Sequence, residues 1–497
     1  MESLDCLFEQ IRTQSEENET LDDFYQHLLT FYESQKTKEN KQKTIKKIAD
    51  EFNSYNMVYY NKTSKIYFNY IDNNYLMLNE DNMLHIVYTF ITNFKHQEQN
   101  QPIDLSLKTT IKQKIMKNIK ENSIYETIPD ADTIQSVLDV CVPTIFERKE
   151  YAKIFLLSIG SMLLKKQHEP KTLIFVRTHI KSFLNEINKY ICTYFCNHNL
   201  FNCFKFKYTQ DHVQTTTEDC RKLLLPCKAN NTDMFHLNGQ FYVNLICVCV
   251  YYSNRYDSVD NYLTSVIEDT TEVEKCVNYF QHNTKETVSK AFVDTYLINK
   301  PNECMEQNEL LFLWKQHVDN EDLFVHVFTS YQDFLCSLYL HIGQPYDESS
   351  NNNKLMGYYS MEIPTIQLFR EFWDANFTYC EDEFYFEISE ILHLFHQAHK
   401  QKKTNLSEPT IKLILQLYYD SFSIVKGKLI HNLKCTFWNK QSIINEFISK
   451  EHIDITQNAH TLYKKYCTYE TNLKIGKKYF TMYLDKLKSD VDTSSAP

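Results

Sequence analysis

The sequence predicts an α+β chain, mainly α, divided into several domains. Three observations carry that expectation. From residue 105 onward, apolar positions recur every three to four residues in segment after segment, the period of an amphipathic helix. Between residues 57 and 78, short aromatic-rich runs are separated by Asn, Asp and Ser, as strands are by turns. With 497 residues, 43% of them hydrophobic, the chain can form two to four cores at about 150 residues each.

Taken in order, residues 1–50 read as helical, an acidic amphipathic opening followed by a lysine-rich run at 36–47. Residues 51–100 form a small strand-rich piece, with strands near 57–60, 65–70 and 75–78 and a helix opened by the polar run 79–82. Residues 101–345 form a central helical and mixed domain. Its first helix repeats Leu107, Ile111, Ile115 and Ile119 every four residues, with Lys108, Lys112, Lys114, Lys117 and Lys120 among them. Helical signal continues at 133–138 and 149–164. Residues 171–176 read as a buried strand, 181–196 as a helix, and 204–208 as a half-exposed strand by strict alternation. The apolar run 241–252 fits either a core strand or a buried helix. Helices return from residue 279, and the asparagine run 349–353 marks a loop and a boundary.

Residues 355–450 make up the C-terminal domain, and 383–438 is its best-defined module. A helix over 383–398 is followed by a polar loop. Ser407, Glu408 and Pro409 then start a second helix: a cap, an acid in the first turn, and a Pro whose missing N–H costs little there. Apolar runs at 422–425 and 429–433 flank the turn Lys426-Gly427-Lys428. Helix, helix and a glycine-tipped basic hairpin outline a winged-helix-like C-terminal module. A basic helix at 451–488 and a disordered tail at 489–497 complete the expected organisation.

Composition excludes several activities. Six glycines stand where average usage would give about 35. No two are close enough for a P-loop or a dinucleotide-binding turn, whose backbone amides must approach phosphates without a Cβ in the way. The abundance of Tyr, Phe, Asn, Ile and Lys follows adenine/thymine-rich codons, so aromatic content alone is no stacking surface. A net charge of −11 argues against a wholly basic nucleic-acid coat, while leaving room for local basic patches. Fifteen cysteines without framework spacing, an acidic start unlike a signal peptide, and no apolar run beyond about 12 residues point to a reducing, soluble, intracellular setting without a membrane partner.

Candidate sites are weighed against plainer readings. Cys192, Cys196, His198 and Cys203 are the densest soft-ligand cluster, and zinc takes four such ligands. The usual Cys-x2-Cys knuckle is absent, however, so buried thiols are preferred and no cofactor is expected. His393, His396 and His399 read as surface histidines, and the acids at 257–274 as a solvated helix face. In 204–208, Lys205 and Lys207 alternate with aromatics, which suits either a single-strand platform or a core strand with its lysines in water. The second reading is favoured. Six lysines against one acid at 36–47, five against none at 108–120, and seven against two at 463–488 could form a phosphate-facing patch. In the winged-helix-like module, Lys412 and Gln416 are the second helix's only polar contacts for a groove, while Lys426, Lys428 and Lys434 could hold a backbone without reading bases.

The segment 150–166, Glu-Tyr-Ala-Lys-Ile-Phe-Leu-Leu-Ser-Ile-Gly continuing to Leu164-Lys165-Lys166, resembles part of an uncharacterised protein family of large eukaryotic DNA viruses of the mimivirus and phycodnavirus kind. Residues 204–208 with Cys220-Arg221, Glu387-Ile388 with Leu394-Phe395, and 435–440 extend the likeness over roughly 55–450. It implies a viral protein of the host cytoplasm, virus factory or virion, working with other viral proteins, and it transfers no catalytic residue. The ends of the chain are also similar to the flanks of viral primase–helicases, but no Walker A loop is present. The expected role is therefore non-enzymatic nucleic-acid binding during replication or transcription. A scaffolding virion protein and a primase–helicase relic lacking its motor are the rivals.

Overall fold

The computed structural model describes residues 19–94, 104–166, 171–196, 198–213, 220–228, 237–266, 270–321, 324–347, 354–381, 385–400, 406–419, 422–469 and 473–494. The protein is mainly helical with five small sheets among these residues. It divides into two compact units, residues 1–283 and 284–497. That division falls away from the boundaries expected near 50, 100 and 345, and the asparagine run at 349–353 lies outside the described residues.

The first unit opens with helix α1 (Glu19–Tyr55), followed by strands β1 (Met57–Asn61), β2 (Ile66–Ile71) and β3 (Asn74–Leu78). These strands form an antiparallel meander with Tyr59 opposite Phe68 and Tyr67 opposite Leu78. Asp72 and Asn73 both take positive φ, as the tight turn between twisted strands requires. Helices α2 (Glu80–Asn93), capped by Asn79, and α3 (Leu105–Glu121) follow. The sheet is buried on both faces because its alternation feeds two cores. Val58 and Tyr67 join Phe52, Val87, Ile111 and Ile115 in one, while Phe68, Tyr70 and Tyr75 enter the other.

That second core is built on α4 (Ala131–Cys141), α5 (Lys149–Leu163), a parallel sheet and a long helix over Gly239–Tyr256. Strand β4 (Lys171–Phe175) lies between β5 (Phe204–Lys205) and β6 (Cys220–Leu224), with α6 (Lys181–Tyr190) after β4. The ambiguous apolar run proves to be helix α7 (Gly239–Tyr256), buried on nearly every side. Its backbone presses against α5 at Gly160, where a Cβ would sit 2.0 Å from the Cys249 carbonyl oxygen. Helices α8 (Val259–Val266) and α9 (Thr270–Val277) close this unit. The expected helix at 181–196 ends at Tyr190 and continues as a wider π turn over 191–195.

The second unit begins with α10 (Lys285–Tyr296), β7 (Ile298–Met305), α11 (Gln307–Asn320), α12 (Tyr331–Ile342) and β8 (Leu355–Tyr359). Strands β7 and β8 pair in a bulged antiparallel ribbon that the sequence reading missed. Next come α13 (Ile363–Asn376), β9 (Phe377–Tyr379), β10 (Tyr385–Glu387), α14 (Ile388–Ala398), α15 (Glu408–Tyr418), β11 (Ile424–Val425), β12 (Leu429–His431) and β13 (Leu433–Cys435). Strand β12 is central, with β10 on one side and β11 on the other, all antiparallel, while β13 pairs with β9. The helix expected from residue 383 starts only at Ile388, because 385–387 are taken into the sheet.

Helices α16 (Lys440–Lys450), α17 (Ala459–Thr468) and α18 (Lys477–Ser494) end the chain. The basic segment at 451–488 is thus split between two helices rather than forming one. The expected tail is helical as far as Ser494, and 495–497 lie outside the described residues. No helix among the described residues is long and apolar enough to cross a membrane.

Candidate nucleic-acid interface

In the second unit, α13, α14 and α15 pack through a largely aromatic and aliphatic seam. Phe369 and Phe372 meet Phe395, with ring centroids 5.6 and 5.5 Å apart, and Ile366, Ile391 and Leu394 are buried alongside. Ile411, Ile414 and Leu415 turn the buried face of α15 inward. Ser407 caps α15 by accepting from the Thr410 amide at 3.3 Å. At its other end the Tyr419 hydroxyl donates to Asp374 Oδ1 at 2.7 Å, and the Arg370 guanidinium covers the Tyr418 ring at 4.3 Å.

The hairpin between β11 and β12 turns at Lys426 and Gly427, with φ of +52° and +70°. The Lys428 amide donates to the Val425 carbonyl at 3.2 Å. Paired positive φ values give the turn whose twist matches its strands, and glycine takes that geometry without strain. The tip exposes Val425, Lys426 and Lys428. Lys412, on α15, reaches the same place: its Nζ lies 3.5 Å from where a Cβ on Gly427 would stand.

Three of the four lysines expected here therefore converge, and none has a carboxylate within 4.0 Å among the described residues. Lys434 does not join them. It stands on β13 opposite Thr378, in a different sheet from the wing and beyond a bend at Asn432, whose φ is +56°. Helix α11 packs along a flank of α15, leaving Glu408, Lys412 and Gln416 as the open strip. Burial, helped by Glu309 of α11, pushes the Tyr418 phenol up to about 12.

This module is fastened from beneath by a group that sequence reasoning missed. Lys440, only 1% exposed, donates to Glu390 Oε2 at 2.5 Å and to the Tyr385 carbonyl at 3.0 Å. Its ammonium also lies 4.0 Å from the Phe386 ring centroid and 4.4 Å from that of Tyr479. Glu390 additionally accepts from the Glu387 amide at 2.9 Å, completing a capping box for α14. Nothing in a lone lysine among Asn and Gln signals burial. The adjacent Trp438 is the only hint.

The remaining candidates belong to the first unit. Helix α3 buries Ile111, Ile115, Met116 and Ile119 and turns its lysines outward as expected. They are interleaved with other groups. The Lys112 ammonium lies 5.3 Å from the Tyr88 ring centroid, Lys117 is 4.0 Å from Glu121, and Lys120 is 3.5 Å from Glu80. Lys114 is exposed and Lys108 half-buried, and neither has a carboxylate partner among the described residues. In the 204–208 segment only Phe204 and Lys205 are strand. Phe204 is 1% exposed in the core, and Lys205 donates to the Phe201 carbonyl at 2.8 Å. A single-strand platform there is thus ruled out for Phe204, while Lys207 is exposed.

The soft-ligand cluster does not assemble. Cys192 is exposed and donates to the His198 carbonyl at 3.2 Å, and Cys196 is buried beside it. Cys203 sits elsewhere, next to Lys171, Lys205 and Cys220. Burial raises both the Cys196 and Cys203 thiols. Among the described residues, no three His, Cys, Asp or Glu side chains are grouped to hold a metal ion. Three of the acids at 257–274 are tied to separate bases: Asp257 to Lys166, Asp260 to the buried Arg221 through two bonds of 2.5 and 2.7 Å, and Glu272 to Arg148, while Glu268 and Asp269 lie outside the described residues. Comparison of the chain with protein-family models, curated proteins and solved structures finds no match.

Proposed function

We propose that the protein is a non-enzymatic nucleic-acid-binding accessory of a large DNA virus, acting in replication or transcription in the host cytoplasm or virus factory. Residues 363–435 serve as a winged helix that grips the sugar–phosphate backbone of a duplex through its wing. One observation carries the reading. Within 363–435, α13, β10, α14, α15, β11 and β12 succeed one another with β12 between β10 and β11, while β9 and β13 pair in a separate ribbon, and Lys412, Lys426 and Lys428 gather at the β11–β12 turn.

Sequence readout is minor. The open strip of α15 offers one lysine and one amide, beside Glu408, where major-groove specificity rests on several bidentate contacts. Backbone neutralisation dominates instead, and the lysines of α3 supply a second weak surface. The viral setting is supported by the resemblance at 150–166.

The test is a titration of the full chain with a 30-bp duplex between about 50 and 200 mM salt. Each phosphate neutralised steepens the log–log salt dependence by about 0.9. The variant K412A/K426A/K428A should therefore flatten the slope by about 2.7 at unchanged melting temperature. Negligible wild-type binding at about 50 mM salt, or an unaltered slope in the variant, overturns the proposal. Self-association without binding would point to the scaffolding role.

A further inference from the structure

A cavity of about 740 Å³ opens in the second unit between α14, α16 and the end of α17. Its volume falls within the range that takes small organic ligands. Phe437 stands at it with 51% of its surface exposed, whereas Trp438 beside it is only 9% exposed. An exposed ring by itself is ordinary, but this one shares its cavity with two ammonium groups, Lys450 and Lys474. Lys474 is held by the Tyr469 and Tyr466 carbonyls, which fix its position without neutralising its charge. Lys450 is paired with Glu446, so that carboxylate's charge is offset. Gln397 and Thr468 line the same cavity with an amide and a hydroxyl.

A flat apolar face, one anchored cation left uncompensated among the described residues at Lys474, and a few hydrogen-bonding groups are complementary to a nucleotide. The base stacks on the ring, its edge meets the amide and hydroxyl, and the phosphate meets the ammonium. We infer that this cleft takes an unpaired nucleotide of a strand whose adjoining duplex is held at the wing. The inference rests on the nucleic-acid reading above and adds a second ligand class, single-stranded rather than paired. Its geometry relative to the wing follows from α14. The Ile388 amide donates to the carbonyl of Lys428 in the wing's turn (3.0 Å), and the helix runs from there to Gln397 at the cleft. Nine residues at 1.5 Å each span about 14 Å. At about 3.4 Å per nucleotide along one strand, that is the reach of about four nucleotides.

The experiment compares binding of the full chain to a blunt 20-bp duplex and to the same duplex carrying a five-nucleotide thymidine overhang, by fluorescence anisotropy. Stacking of one base predicts a preference for the overhang of about 5-fold or more. Phe437→Ala and Phe437→Leu should reduce the preference to within about twofold while leaving blunt-duplex affinity unchanged, and Phe437→Trp should retain it. Equal binding of both ligands by the wild type overturns the inference and leaves the duplex reading standing. So does an overhang preference that survives Phe437→Ala. Absence of binding to either ligand overturns both. Overhang binding that depends on Phe437, without blunt-duplex binding, supports the cleft and overturns the duplex reading.

Discussion

Replacing Lys440 by Met tests whether the buried ion pair beneath the wing holds the second unit together. Methionine nearly matches the lysine stem in volume, so the aromatic cage of Phe386, Trp438 and Tyr479 keeps its packing. What changes is Glu390, whose side chain is 7% exposed and would lose its only cation among the described residues. Leaving a buried charge uncompensated costs about 3–5 kcal/mol. For a unit of this size, each kcal/mol moves the melting temperature by about 2–4 °C, so K440M should lower it by about 6–20 °C. The partner variant K440M/E390Q removes the charge yet keeps an acceptor for the Glu387 amide, so the capping box survives. It should recover at least half of the loss. Scanning calorimetry of the full chain reads the transition of this unit. A drop below about 2 °C for K440M, or a double variant no better than the single, would refute the reasoning.

Other expectations follow from the same coordinates. Gly160→Ala places a Cβ 2.0 Å from the Cys249 carbonyl and 2.8 Å from Ser253 Cβ. Backbone atoms cannot swing away as a side chain end can, so the first unit should lose about 3 kcal/mol or more, and equal melting curves would refute this. Burial holds the His317 and His326 imidazoles below their ordinary range. The unfolded chain therefore takes up protons first as pH falls below about 6.5, and the second unit should lose stability from pH 7 to 5. H317N/H326N should flatten that dependence, and a level wild-type profile would contradict it. Among described cysteines, Cys192, Cys304 and Cys467 are exposed and should alkylate in the native protein. Cys141, pushed up to about 12 by burial, and Cys247 and Cys249, also raised, should label only after unfolding, as peptide mass spectrometry can check.

How much of this was legible in the sequence depended on how local the signal was. The 57–78 meander, the capped helix at 408–418 and the Lys-Gly-Lys turn are specified by neighbouring residues, and they were read almost in place. Strands β6, β7, β8, β9 and β10 were missed because nothing local marks them. Strand β7 carries Pro301 and is mostly exposed, and β6 contains Arg221 and Lys222, buried only because Asp260 and Tyr208 cover them. Helix α7 was ambiguous for the opposite reason, since burial on nearly all sides removes amphipathic period. Within the candidate site, the wing lysines were visible, but the sequence grouped them with Lys434 and gave no sign that Lys412 reaches the turn. The Lys440–Glu390 pair was not visible either, because a buried cation is recognisable only once its cage has assembled. The cysteine cluster failed for a related reason: closeness along the chain carried Cys203 onto a different element from Cys192.

A chain of net charge −11 repels a polyanion at long range, so its few wing lysines act only within a Debye length of about 10 Å at 0.1 M salt. Stacking is not screened in this way, and the two contributions should separate as salt rises. If Lys426 and Lys428 each neutralise one phosphate, the ratio of wild-type to K426A/K428A affinity should fall about 12-fold between 50 and 200 mM, from a slope difference of about 1.8. The ratio of wild-type to Phe437→Ala affinity, measured on the overhang ligand, should stay within about twofold over that range. Parallel decline of both ratios would mean that Phe437 acts by positioning a charged contact rather than by stacking a base. A constant ratio for both would mean that the wing lysines do not meet phosphates at all.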